Sequence, residues 1–188
     1  TAKFNSPSGI ATDTSGNLYV ADANNNLIRK ISAAGEVTTL AGPGSLDATG
    51  APAPAFNSPR ALVVDSTGVV YVSDSANNMI RKITPAGVVT TLAGSTTAGN
   101  ADGNGTAATF NFPHGIALDA SGNIYVVSND RVRKITPAGE VTTLTGTATG
   151  VRVDGTLAAA VFSGTQSLTI DANGVIYVLE IDDVRKIE

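Results

Sequence analysis

The chain has 188 residues, long enough for a sizeable core, with 42% hydrophobic but only 5% aromatic residues, so that core must be built of Val, Ile, Leu and Ala. Cysteine is absent, which excludes disulfides and thiolate chemistry, and no apolar run approaches the roughly 18 residues of a membrane span. The net charge is −4, and eight of the twelve basic residues are four spaced Arg-Lys pairs, which spread positive charge out and exclude the concentrated basic face that nucleic acid needs.

In chain order, Phe4 opens a stretch that runs through an Asp13-x-x-Gly16 turn, Tyr19 and the pair Arg29-Lys30 to a Gly-, Ala- and Thr-rich linker at Ala41–Gly50. The same plan is clearest from Phe56 to Gly94. There Leu62–Val64, Val69–Val72, Met79–Ile83 and Val88–Leu92 are short runs of strand-forming residues, each closed by turn residues. Thr84-Pro-Ala-Gly87 suits a tight hairpin turn with Gly in the left-handed region. This stretch reads as a four-stranded antiparallel meander. Two further copies open at Phe110 and Phe162.

The copies keep register. Tyr19, Tyr71, Tyr125 and Tyr177 are spaced by 52, 54 and 52 residues, and the four Asp-x-x-Gly turns and four Arg-Lys pairs follow suit. Adjacent strand residues point to opposite faces, so an Arg-Lys pair cannot act as one clamp. Arg29 and its copies are expected to lay their stems on apolar surface and to pair with carboxylates between repeats. The copies drift towards the end. Ser128 and Glu180 replace Asp22 and Asp74, the loop from Tyr to Arg-Lys shortens by two residues in copies three and four, and copy four loses its proline.

Phe4-Asn-Ser-Pro-Ser-Gly-Ile-Ala-Thr-Asp13, Gly16-Asn-Leu-Tyr-Val-Ala-Asp22 and Asn26-Leu-Ile-Arg-Lys-Ile31 resemble the NHL repeat. The resemblance covers essentially the whole chain, is specific for fold and says little about function. It implies an all-β propeller of four-stranded blades, at about 4–42, 56–94, 110–146 and 162–188, within one domain over 1–188. The family usually has six blades to a ring, and its members bind protein or RNA, with a few lyases and lactonases on similar propellers. Thr1-Ala-Lys-Phe4 matches the tail of an inter-repeat linker, and Arg185-Lys-Ile-Glu188 matches the end of a third strand. The last blade is therefore expected to lack its outer strand, and the ring to be larger or completed by another chain through an open edge.

Propellers bind ligands at the mouth of the central channel. In the family the second variable residue of Phe-Asn-x-Pro-x-Gly sits near that mouth. Here it is Ser8, Arg60, His114 and Gln166, which vary but stay polar while their neighbours hardly change. These four are the expected ligand-binding residues, against the alternative of a tolerant exposed loop position. Pro113-His114-Gly115 is similar to a motif of propeller lyases whose channel histidine is a base. His114 is the only histidine and has no second base beside it in the sequence, which makes it a weak catalytic candidate. Asp22 and Asp74 read as strand-closing residues that accept hydrogen bonds from the turn that follows. Asn100-Ala-Asp-Gly-Asn-Gly105 fails as a calcium loop at its last ligand, so no metal and no cofactor are expected, and Asn104-Gly-Thr106 is a glycosylation sequon only on a eukaryotic secretory route.

Together these features point to a binding or structural module for a protein, small-molecule or glycan ligand. The alternatives are a channel-mouth lyase or hydrolase, or an assembly subunit joined by self-association through open blade edges. The Thr-, Ala- and Gly-rich, lysine-poor composition is similar to that of exported bacterial surface proteins, which places the expected location outside the cell or on its surface. No nucleic-acid partner and no membrane insertion are expected.

Overall fold

The computed structural model describes residues 2–146 and 160–187. Its strands are β1 Pro7–Thr12, β2 Leu18–Asp22, β3 Leu27–Ile31, β4 Val37–Ala41, β5 Pro59–Val64, β6 Val70–Asp74, β7 Met79–Ile83, β8 Val89–Gly94, β9 Gly103–Asn104, β10 Gly115–Leu118, β11 Ile124–Ser128, β12 Arg131–Ile135, β13 Glu140–Thr145, β14 Ser167–Ile170, β15 Ile176–Leu179 and β16 Val184–Ile187. They form four antiparallel sheets with strand orders β1-β2-β3-β4, β5-β6-β7-β8, β10-β11-β12-β13-β9 and β14-β15-β16. The protein is thus an all-β propeller of four blades around a common axis. The innermost strands β1, β5, β10 and β14 pack in succession against one another. The fourth blade has three strands among the described residues, as its sequence leads one to expect.

The turns follow from local chemistry. Gly16, Gly68, Gly122 and Gly174 each close an Asp-x-x-Gly turn with φ of 81 to 85°, a backbone that only glycine adopts without strain. The Asp of each turn is tied to the tyrosine of its own blade. Tyr19, Tyr71, Tyr125 and Tyr177 donate their hydroxyls to Asp13, Asp65, Asp119 and Asp171 at 3.0, 3.3, 3.1 and 3.5 Å. The shortened loop of blade 3 is a two-residue hairpin turn, with Asn129 at φ 50° and Asp130 at 55°. Blades 1 and 2 have a 3-10 turn there, Ala23–Asn25 and Ser75–Asn77.

Each pair of neighbouring blades buries one apolar layer. Between blades 1 and 2, Tyr19, Ala21, Ile28 and Ala41 meet Phe56, Leu62, Val70, Val72, Ile83 and Val89. The equivalent layers join blade 2 to blade 3 around Phe110 and blade 3 to blade 4 around Phe162. Phe56, Phe110 and Phe162 are buried in these layers, and Phe4 is half-buried because no layer of the described residues covers its side of blade 1.

The basic pairs split between environments as alternation requires. Arg29, Arg81, Arg133 and Arg185 lie over Phe4, Phe56, Phe110 and Phe162 of their own blades, 5.8, 5.4, 5.1 and 4.6 Å from the ring centres, while Lys30 and Lys134 cover Tyr19 and Tyr125. In blades 1 to 3 the third and fourth strands slip register at the arginine, between Ile28 and Arg29, Ile80 and Arg81, and Val132 and Arg133, a bulge that re-aims the side chain. The acid partner is not on the neighbouring blade. Arg81 pairs with Asp74 and Arg185 with Glu180, both on the same blade. Arg133 pairs at 2.9 Å with Asp102, which also accepts from the Thr143 backbone N–H and hydroxyl. Asn100–Gly105 is therefore more than a plain turn. Its Gly103–Asn104 strand pairs with β13, and Asp102 fastens it to the blade.

Candidate binding site at the channel mouth

The lead-in loops of all four blades converge at one end of the axis. In each loop the residue two positions after the phenylalanine has a left-handed backbone: Ser6 at φ 49°, Ser58 at 52°, Phe112 at 53° and Gly164 at 67°. The loops are held by the residues that close the second strands. Asp22, Asp74, Ser128 and Glu180 accept the backbone N–H of Asn5, Asn57, Asn111 and Ser163 at 2.7, 2.8, 2.9 and 2.6 Å. All four side chains are buried. The main bond thus runs to the loop before the first strand, not to the turn after the second, where only the Asn25 and Asn77 amides donate to Asp22 and Asp74. The role explains the substitutions. A hydroxyl or a longer carboxylate can accept the same N–H.

A second set of clamps joins each loop to the preceding blade. Asn26, Asn78 and Asp130 accept the backbone N–H of Ser58, Phe112 and Thr165 at 2.8, 2.9 and 2.9 Å. Asn26 and Asn78 are themselves left-handed, at φ 55° and 56°, a conformation asparagine tolerates well. In blade 4, Thr165 stands where the other blades have proline, so it has the N–H that Asp130 takes.

Within this frame Ser8, Arg60, His114 and Gln166 line one depression of about 350 Å³, together with Ser6, Asn24, Ser58 and Ser167. The four expected residues are brought together. Each of the first three also reaches the next blade. The Ser8 hydroxyl donates to the carbonyl oxygens of Arg60 at 2.8 Å and Pro59 at 3.1 Å. The Arg60 guanidinium stacks over the Phe112 ring at 5.0 Å. His114 Nδ1 lies 3.0 Å from the Phe112 carbonyl oxygen, and Nε2 lies 2.7 Å from that of Thr165. Gln166 donates to the carbonyl of Gly164. Gly9 and Gly115 allow the close approach of inner strands at this level. A Cβ on Gly9 would stand 2.5 Å from the Arg60 carbonyl oxygen, and one on Gly115 would stand 2.8 Å from the Ser167 Cα.

Ser6, Asn24, Ser58 and Phe112 escaped the sequence reading. The first three share the polar character of any surface loop. Phe112 could have been noticed, because an aromatic side chain in a position filled elsewhere by serine or glycine needs a partner, and Arg60 is that partner. No cluster of three or more potential metal-ligating side chains occurs among the described residues.

The NHL repeat model matches residues 4–31 and 56–83, the first and second of these blades up to the end of their third strands. The first two blades are NHL repeats. Human teneurin-4 is 31% identical to this NHL-repeat chain over 160 residues, 77% of the chain but 6% of the teneurin. A Bacteroides thetaiotaomicron protein of unknown function superposes with a TM-score of 0.80 at 26% identity over 96% of the chain. An auxiliary nutrient binding protein of Bacteroides ovatus gives 0.76 at 21% over 98%, and streptogramin B lyase gives 0.65 at 15% over 99%, identities that speak for the propeller fold alone. The NHL-repeat chain spans about half the length of these solved chains, 46%, 48% and 55% of them respectively.

Proposed function

We propose that this NHL-repeat chain is a non-catalytic binding module acting outside the cell, with its ligand site at the channel mouth. The observation that carries the reading is the convergence of Ser8, Arg60, His114 and Gln166, the positions that vary and stay polar between copies, on one polar depression. Its volume, about 350 Å³, is within the range of small-molecule sites, roughly 300–1,000 Å³. A small ligand is in keeping with the auxiliary nutrient binding protein that shares this propeller fold. The His114 geometry favours binding over lyase or hydrolase chemistry. In either neutral tautomer its unprotonated nitrogen faces a backbone carbonyl, so no imidazole lone pair is turned to the cavity. The test is a ligand-observed NMR screen of metabolites against the wild type and an Arg60→Ala/Gln166→Ala variant. Hits lost in the variant support the mouth as the site. Hits that survive it place binding elsewhere.

A second reading, self-association, is favoured by the outer face of blade 1. Phe4, Ile10, Val20 and Ile31 line an open groove of about 370 Å³, and Ile10 is 64% exposed. The opposite face of blade 4 exposes Leu179 and Val184. These are the two halves of the layer that joins neighbouring blades inside the chain, so a second copy docked head to tail would complete it. Sedimentation velocity of the 188-residue chain checks it: concentration-dependent association abolished by Ile10→Asp supports it, and a monomer at high concentration ends it.

A further inference from the structure

The charge of the mouth points to the class of ligand. Arg60 is exposed, and its guanidinium makes no hydrogen bond or ion pair with any described residue and touches only the Phe112 ring. The ring restrains the guanidinium, whose planar N–H fork suits two parallel bonds to a carboxylate. No Asp or Glu lines the depression, in a chain with sixteen of them. Four acids of the frame that carries the mouth are turned into the protein. Asp22 and Glu180 hold backbone N–H groups of the lead-in loops, Asp74 does so while paired with Arg81, and Asp130 holds both the N–H and the hydroxyl of Thr165. Around Arg60 the lining is hydroxyl and carboxamide: Ser8, Ser58, Asn24, Gln166 and Ser167. Such groups both donate and accept, as sugar hydroxyls require.

We propose that the mouth takes a sugar acid, its carboxylate gripped by the free guanidinium of Arg60 and its hydroxyls met by the serine and amide rim. This rests on the binding reading above and names its ligand class. Neither half of the ligand suffices alone. A lone carboxylate leaves the polar rim to water, and a neutral sugar leaves the guanidinium without an anion.

His114 is the only histidine, so its ring signals in a ¹⁵N-edited NMR spectrum report the mouth without ambiguity. Glucuronate, glucose and acetate are titrated separately into the 188-residue chain. Glucuronate is expected to shift the His114 signals to saturation, about tenfold more tightly than glucose or acetate. Arg60→Ala should weaken it about tenfold, and Arg60→Lys should recover only part of the loss, because an ammonium keeps the charge but not the fork. Added salt should weaken glucuronate and leave glucose unmoved. Equal binding of glucose and glucuronate, or glucuronate binding unchanged in Arg60→Ala, overturns the sugar-acid inference while leaving a binding site at the mouth. Silence of His114 towards all three probes overturns the inference as well, and the metabolite screen then decides the binding reading separately. Gln166→Ala, on the exposed rim, serves as a second variant. It should weaken glucuronate while leaving acetate unchanged.

Discussion

The Arg81 guanidinium and the Asp74 carboxylate lie 3.3 Å apart inside blade 2, both shut away from water. Burial pushes the Asp74 carboxyl up and the Arg81 guanidinium down despite their pairing, so desolvation outweighs attraction at this pair. Removing one partner is therefore worse than lacking both. Asp74→Ala is expected to cost about 3–5 kcal/mol, because it strands a buried guanidinium and frees the Asn57 N–H. Arg81→Met in that background should cost less than the sum of the two changes. Urea unfolding of the two single variants and the double variant measures this. A cost below about 1 kcal/mol for Asp74→Ala would show that water reaches the pair.

Asn78 combines two demands, a left-handed backbone at φ 56° and an acceptor for the Phe112 N–H at 2.9 Å. Asn78→Ala fails both and should lose about 1–3 kcal/mol. Asn78→Asp should cost least of the three, because it keeps the acceptor as Asp130 does between blades 3 and 4 and loses only the Nδ2 donation to the Thr96 carbonyl at 3.3 Å. Asn78→Gly should fall between them, since glycine meets the backbone demand but not the bond. Thermal melts of the three variants give the order, and alanine matching glycine would remove the backbone part of the account.

Phe56 is buried between blades 1 and 2 with Arg81 over its ring at 5.4 Å. Phe56→Ala should cost about 3–5 kcal/mol. Phe4, half-buried in the same register, should cost clearly less when cut to alanine. Equal losses in denaturant melts would mean that the outer face of blade 1 is covered in solution.

The Tyr19–Asp13 bond sets limits on pH. Asp13 is lowered from 3.8 to about 2, chiefly by the Asn17 side-chain hydrogen bond, with burial opposing and Tyr19 helping. Its carboxylate is favoured in the folded state, so this stabilisation is present above about pH 4 and is lost as pH falls towards 2. Tyr19 is raised from 10.0 to about 12, first by burial and then by the Asp13 hydrogen bond. Its neutral phenol is favoured on folding, so that contribution is whole below pH 10 and lost as pH rises towards 12. Stability should show a plateau between these windows. Asp13→Asn should shift the Tyr19 ionisation part of the way back towards 10, leaving the share due to burial. Ultraviolet titration of wild type and variant checks the value.

The fold was legible because repetition does what a single copy cannot. One tyrosine or one Asp-x-x-Gly proves little, but four in register fix strands and turns together. The register also drew Ser8, Arg60, His114 and Gln166 onto one ring, which the structure brings into one depression. Hidden from sequence was the direction of the hydrogen bonds. Asp22 could accept from a turn ahead or a loop 17 residues behind, and only the packed blade selects the latter. The Asp102 partner of Arg133 was hidden as well, because it lies in an inter-repeat linker whose length changes between copies. Nor does the sequence show that Ser8, Arg60 and His114 each touch the following blade, so that they bear on the joint as well as on the cavity.

Those joints have a consequence for how such a chain can grow. Where Ser8, Asn26, Ser73, Asn78, His114 and Asp130 cross from one blade to the next, the group they meet is an N–H or carbonyl of the backbone. Every residue brings a carbonyl, and every residue but proline an N–H, whatever its side chain. A duplicated copy therefore arrives already able to dock on its neighbour, with no matching substitution needed on the other side. Its rim residues are then free to diverge one at a time, so a propeller of this kind can acquire a new ligand by drift in one blade without renegotiating its contacts in the others.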